Sequence, residues 1–224
     1  MKNIESNFKE SRKYKPNKDF ADQATVTHDL LTDLIESYKK NPAIFWSNLA
    51  NKEITWIENF KTSLSGNAPD FEWFKEGKLN VSANCLDKHV DANNNAIIHI
   101  SEDNQKKVIT YKDLYQDVNN FSYSLRSIGF KKGVRVIIYM PTIPESIIAM
   151  LACARLGLIH SVVFAGFSSE SLKNRINDCE AELVITVDSF KRNGKTIRSK
   201  DIVDNAIASN CPSIKKVVIF KNSN

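Results

Sequence analysis

From residue 95 onward the chain alternates short apolar, β-branched runs with amphipathic stretches, and this constrains the fold more than any other feature. The runs are "AIIHI", "VRVIIYM", "LIHSVVF", "ELVITV" and "KKVVIF". Stretches of helical character, about 10 to 15 residues each, separate them, which is the pattern of a parallel sheet covered by helices. "VRVIIYM" is almost continuously apolar, as a strand buried on both faces must be. The crossovers between such strands are right-handed. The expected fold class is α/β: a mostly parallel sheet with helices on both faces, preceded by a helix-and-loop N-terminal cap. The runs at 159–164, 183–187 and 216–220 belong to one parallel sheet on this reading.

The helices between the runs carry their own punctuation. Leu114, Val118, Phe121, Leu125 and Ile128 step by four, three, four and three, one face of a helix. Thr110 is its expected N-cap, with Asp113 at the third helical position, and Gly129 its terminator. Pro141 and Pro144 break the chain, and "ESIIAMLACARLG" then runs as a helix to Gly157. Ser168 caps "SSESLKNRIND", "DSFKRNGKTIRS" reads as a loop, and "DIVDNAIASN" as a helix.

The N-terminal part has a different texture. Residues 1–24 are polar and read as a loose tail. "HDLLTDLIESYKK" puts Leu30, Leu31, Leu34, Ile35 and Tyr38 on one helical face. Trp46, Trp56 and Trp73 follow within a short span. Rings at that density pack a helix-and-loop layer, or stack on a nucleobase. Residues 61–80 read as a loop, and "NVSANCLDKHV" as the start of a helix carrying Leu86 and Val90.

Composition narrows the function classes. The net charge is +5, from 31 Lys and Arg against 26 Asp and Glu. This mild excess is spread along the chain, which suits an anionic small ligand as well as nucleic acid and more often means only a solvated surface; no nucleic-acid partner is expected. "MKNIESNFKESRKYKP" lacks an apolar core, so it is no signal peptide. The most apolar window, 147–164, is interrupted by Arg155, Gly157 and His160, so no membrane span is expected. The four cysteines, Cys85, Cys153, Cys179 and Cys211, form no CxxC pair and match no zinc spacing. Cys153 reads as a buried free thiol. A cytoplasmic protein with no metal site is the expectation.

Two loops carry candidate chemistry. Gly166 lies between a strand and a helix N-terminus, where open α/β sheets bind ligands. It has no side chain to keep a ligand away from the backbone, and Ser168 with the first amides of the next helix can meet an anion. A plain turn is the alternative. "KRNGK" sets Lys191, Arg192 and Lys195 around Asn193-Gly194. Arg192 can grip a phosphate through two parallel hydrogen bonds, and Lys195 adds a point charge. An exposed polar turn is the alternative here. His160 falls within a strand and reads as a core or interface residue. With seven glycines, the chain has no GxxxxGK[ST] and no GxGxxG. It offers no evident cradle for a triphosphate and no catalytic residue.

"YMPTIPESIIAMLACARLGLIHSVVFAGFSSESLKNRI", with "WFKEGKLNVSANCLDKHV" and "LVITVDSFKRNGKTI", resembles the acetyl-CoA synthetases. These are AMP-forming acyl-CoA ligases of the adenylate-forming superfamily, with the propionyl-CoA synthetases as close relatives. The resemblance runs collinearly over roughly residues 20–224. It implies three parts: a loose tail at 1–24, an acetyl-CoA synthetase-type cap at 25–92, and the first part of an AMP-binding domain at 93–224. It implies ATP, acetate and CoA as substrates, Mg with the ATP, and an acetyl-adenylate intermediate. It places the phosphorylated adenosine end of CoA on the basic loop, hence on Arg192, Asn193, Gly194 and Lys195, and Gly166 along the CoA path. Two departures stand out. Ala165 replaces the first Gly of the family's turn, and Lys195 keeps a charge without the fork of an Arg.

The family's ATP loop, acyl pocket, ribose-binding Asp and C-terminal catalytic Lys have no counterpart in these residues. The resemblance therefore implies an N-terminal portion carrying CoA-binding residues, inactive in adenylation alone. The alternatives are a non-catalytic CoA- or acyl-CoA-binding module, and a subunit that pairs with a second chain completing the domain.

Overall fold

The computed structural model describes residues 12–222, so 1–11 of the expected tail lie outside the described residues. The described chain divides into two compact units, one running to residue 53 and including 61–75, the other comprising 54–60 and 76 onward.

The first unit holds three helices, α1 (Lys18–Asp22), α2 (His28–Lys40) and α3 (Pro42–Glu53), and two strands, β1 (Thr62–Asn67) and β2 (Asp70–Lys75). Within the expected tail, α1 is short and fully exposed. The Thr27 hydroxyl accepts the Leu30 amide and starts α2. The expected apolar face of α2 is present, yet each of its five side chains stays more than a third exposed. Phe45 and Trp46 of α3 meet Tyr38 edge-on, with centroids 5.8 and 6.4 Å away.

Residues 61–80 are not the expected loop. β1 and β2 pair antiparallel from Thr62↔Lys75 to Asn67↔Asp70. The polar alternation of "TSLSGN" and the nearby Pro69 hide the strands from a hydrophobicity reading. Gly66 permits the turn: its φ is +80°, and a Cβ there would stand 2.2 Å from the Asp70 carbonyl oxygen.

The first helix of the second unit is α4 (Val81–Leu86), followed by one 3₁₀ turn over Asp87–His89. Asn80 serves two helix ends. Its side-chain oxygen accepts the Ala83 amide, and its NH₂ donates to the carbonyls of Ala154 and Arg155. Strands β3 (Asn95–Ile100) and β4 (Lys106–Thr110) come next. They form their own antiparallel pair, so "AIIHI" does not join the parallel sheet. "KKVIT" is too short and too charged at its start to announce itself as its partner.

Thr110 then caps α5 (Tyr111–Ser127) with the expected capping box. Beyond it run β5 (Arg135–Met140), α6 (Pro144–Leu156), β6 (Ile159–Phe164), α7 (Ser169–Asp178) and β7 (Leu183–Val187). The short strands β8 (Phe190–Arg192) and β9 (Lys195–Ile197), α8 (Ser199–Ala208) and β10 (Lys216–Phe220) complete the unit. Pro144 occupies the first turn of α6, and Gly157 ends it at φ +70°. Ser168 caps α7 by accepting the Ser171 amide.

The expected parallel sheet is present, in the order β10-β7-β5-β6. The chain leaves β5 toward one edge, then reverses to build β7 and β10 on the other side. With right-handed crossovers, α6 covers one face and α7 and α8 the other. Accordingly α5 packs on α6, and α7 on α8. Val136, Ile137, Ile138 and Tyr139 of β5 and every residue of β7 are buried, as strands sandwiched between helix layers must be. Each such aliphatic side chain contributes roughly 1.5–3 kcal/mol. Buried Thr186 keeps its polarity satisfied by donating to the Tyr139 carbonyl at 2.8 Å.

Candidate functional site

The reversal at β5 makes a topological switch point, and the crevice beyond the carboxyl ends of the strands is where such sheets bind ligands. A cleft of about 740 Å³ lies there. Pro141 to Ile143 follow β5, Phe164 and Ala165 close β6, Ser189 to Arg192 follow β7, and Asn222 follows β10; all of them line it. The loop between β3 and β4 supplies the remaining wall, including Glu102 and Asp103.

The "KRNGK" segment is a hairpin rather than the expected loop. β8 and β9 pair antiparallel, with Arg192 opposite Lys195. Asn193 and Gly194 form the two-residue turn, at φ +50° and +71°. Positive φ at both positions is what a tight hairpin turn requires, and Asn-Gly is the residue pair that adopts it at least cost. The register puts the Arg192 and Lys195 side chains on one face, as an opposed cross-strand pair. Both are exposed, and neither has an ion-pair partner among the described residues. Lys191 is engaged: its ammonium reaches Asp103 at 2.9 Å, and the hydrogen bond and charge of that carboxylate raise its pKa. The Gly194 amide donates to Glu102 Oε1 at 2.9 Å.

Gly166 and the basic hairpin come together. The Arg192 guanidinium lies over the Phe164 ring, 5.0 Å from its centroid. A Cβ at Gly166 would stand 2.4 Å from both Arg192 Nη1 and Phe164 Cε1. A side chain at 166 would therefore displace one of these two exposed side chains, while the φ of Gly166 is not in the left-handed region. The expected anion role of Ser168 is a weaker fit, because its hydroxyl is already committed to capping α7.

Sequence reasoning missed several residues that shape this cleft. The Tyr139 hydroxyl, from buried β5, lies 2.9 Å from the Ala165 carbonyl and 2.7 Å from that of Phe167. It ties the Gly166 turn to the core, and burial raises the pKa of the phenol. Asp188 Oδ1 accepts the amides of Ser189 and Asn222, both at 2.8 Å, which fixes the exit from β7 against the end of β10. Glu102 and Asp103 belong to no local motif and lie about 90 residues before the hairpin they touch. His160 sits half-buried on β6, and burial lowers its pKa. Among the described residues no cluster of three His, Cys, Asp or Glu is placed to hold a metal ion, and no helix is long and apolar enough to cross a membrane.

The sequence pattern of the AMP-binding enzymes matches residues 86–223, well over half of the chain. The chain belongs to the AMP-binding enzyme family. A second pattern, that of the acetyl-coenzyme A synthetase N-terminus, matches residues 31–85 of this AMP-binding enzyme. An acetyl-coenzyme A synthetase of Laribacter hongkongensis is 45% identical over 228 residues, covering 100% of this chain and 35% of the relative. One of Helicobacter acinonychis is 46% identical over 212 residues, covering 92% of this chain and 32% of the relative. The chain thus spans about a third of the length of the curated relatives it matches. Among solved structures, the acetoacetyl-CoA synthetase from Streptomyces lividans superposes with a TM-score of 0.76 at 22% identity, over 83% of this chain and 29% of that one. That likeness bears on the fold alone. Together these matches agree with the resemblance to the acetyl-CoA synthetases and with the α/β fold class.

Proposed function

We propose that these residues form the CoA-binding part of an acetate–CoA ligase that works through acetyl-adenylate. Arg192 and Lys195 hold the phosphorylated adenosine end of CoA, Asn193 and Gly194 shape the turn between them, and Gly166 lines the path of the ligand. The observation that carries this reading is the convergence of Gly166, Phe164 and Arg192. Two loops that lie apart in sequence meet at the carboxyl edge of one sheet, and a methyl on the residue between them would displace Arg192 or Phe164 from their contact. A guanidinium on an aromatic platform with its N–H edge free is suited to a phosphate. Lys195, on the same hairpin face, adds the second charge. CoA fits these donors. ATP and Mg belong to the complete reaction, and no role toward them is assigned to the described residues. On this reading 25–92 serve as the cap and 93–224 as the first part of the AMP-binding domain, in a cytoplasmic enzyme.

The test is titration calorimetry of the 224-residue chain with CoA and with dephospho-CoA. CoA should bind more tightly, and R192A should remove the difference. Equal binding of the two ligands by the unmodified chain would overturn the assignment. For the 224 residues by themselves we expect binding without adenylation, so acetate-dependent ATP–pyrophosphate exchange above background would contradict that part of the reading.

A second reading, a subunit completed by another chain, draws on β6. This strand is an edge of the sheet and exposes Ile159, Val162 and Phe164. An apolar edge strand favours pairing with further polypeptide. A strictly monomeric species in sedimentation at high concentration would count against it.

A further inference from the structure

The hairpin that carries Arg192 and Lys195 has two strands of three residues each. Strands that short do not hold their geometry alone in water. Phe190 and Ile197 anchor the base of the hairpin against the core, and its turn end is tethered by the acidic loop joining β3 to β4. That loop is itself fixed. The Ser101 amide donates to the Gln105 carbonyl at 3.0 Å, and the Asn104 amide to the Ser101 carbonyl at 2.9 Å. The Ser101 hydroxyl accepts the Gln105 amide at 3.0 Å. From this base two carboxylates reach the hairpin, Glu102 to the Gly194 amide and Asp103 to the Lys191 ammonium, each at 2.9 Å. In a two-residue turn the second turn residue's N–H has no partner within the hairpin ladder. A carboxylate oxygen there makes a charge-assisted bond at the point where the backbone is least constrained.

We propose that Glu102 is a positioning residue for phosphate recognition: by accepting the Gly194 amide it locks the Asn193-Gly194 turn, so that Arg192 and Lys195 stay side by side on one face. Asp103 adds a second attachment through Lys191, which projects from the opposite face of the hairpin. The inference rests on the CoA reading given above. Electrostatics alone would argue the reverse. A carboxylate this close to an anion site repels the anion, so deleting it should tighten binding. A lock gives the opposite sign, because the loss of geometry outweighs the loss of repulsion.

The experiment compares E102A with E102Q in the 224-residue chain. Gln keeps a side-chain oxygen to accept the Gly194 amide and discards the charge. CoA and dephospho-CoA affinities are measured by calorimetry, and exchange of the Gly194 amide is measured by NMR without ligand. E102A should lower the preference for CoA by at least about threefold, with dephospho-CoA binding unchanged, and speed Gly194 exchange by at least about tenfold. E102Q should stay within about twofold of the unmodified chain in both measurements. Tighter CoA binding by E102A and E102Q alike overturns the lock in favour of simple repulsion. If the unmodified chain does not distinguish CoA from dephospho-CoA, the CoA reading fails. Gly194 exchange then still decides on Glu102, and an E102A rate equal to that of the unmodified chain overturns the lock.

Discussion

The Arg192 guanidinium lies over the Phe164 ring with 5.0 Å between its central carbon and the ring centroid. The two residues end different strands, β8 and β6, so the contact ties the basic hairpin to the edge of the parallel sheet. Arg192 also lines the cleft, where a bidentate acceptor can meet a guanidinium.

Replacing Phe164 by Leu should keep the apolar volume and remove the ring face. An exposed cation–π contact is worth about 0.5–1 kcal/mol. Calorimetry of F164L should therefore show CoA affinity about two- to fivefold lower, with dephospho-CoA affinity unchanged. Equal losses for both ligands would mean that the ring contacts the ligand directly instead of setting Arg192.

Gly166→Ala places a methyl 2.4 Å from Arg192 Nη1 and from Phe164 Cε1. The flexible guanidinium yields more readily than the ring, so Arg192 should swing off its platform. Gly166 is exposed and its φ suits an L residue, so the thermal midpoint should move by no more than about 2 °C. CoA binding should weaken by up to about tenfold. An unfolded G166A protein would show instead that the turn, not the ligand, needs this glycine.

The contrast between what was legible and what was hidden follows from which forces shape each part. The parallel sheet was legible because burial on both faces forces continuous apolar runs, as in Leu183–Val187. Helix ends were legible because Thr110, Ser168 and Gly157 act locally. The β1–β2 hairpin was hidden because β1 is polar and the two strands together are mostly exposed, so that the aromatic residues of β2 form no buried alternating face. The β8–β9 hairpin was hidden behind its charges, although Asn193-Gly194 is the dipeptide that such turns favour. Arg192 and Gly166 were legible as candidates one by one. Their contact, the Phe164 platform, Tyr139 and the Glu102 bond to Gly194 all depend on tertiary approach, and no local pattern encodes them.

Tyr139→Phe tests how the Gly166 turn is held. The hydroxyl lies within hydrogen-bonding reach of the Ala165 and Phe167 carbonyls, and Ala165 is buried. Removing it leaves a buried acceptor without that donor, at a cost of about 1–3 kcal/mol. Urea denaturation should show that loss with an unchanged slope, because the ring still fills its place. CoA affinity should fall as well, since the turn beneath Arg192 loosens. A Y139F protein as stable as the unmodified one would mean that another group holds the turn.

Cys153 gives a prediction in pH. It is fully buried in α6, and burial pushes its thiol up from 9.0 to about 12. The folded state therefore keeps its proton at pH values where the unfolded chain has lost it. Stability from this group is complete below pH 9 and falls as pH rises toward 12, because there the unfolded state binds fewer protons than the folded one. At pH 10, one unit above the unfolded value, the loss is about 1.4 kcal/mol. Lysines and tyrosines also titrate in this range, so the informative quantity is the difference between the unmodified chain and C153A. Urea unfolding at pH 8 and pH 10 should show the unmodified chain losing about 1.4 kcal/mol more than C153A. Parallel declines in the two proteins would mean that the Cys153 thiol ionises in the folded state as readily as in the unfolded one.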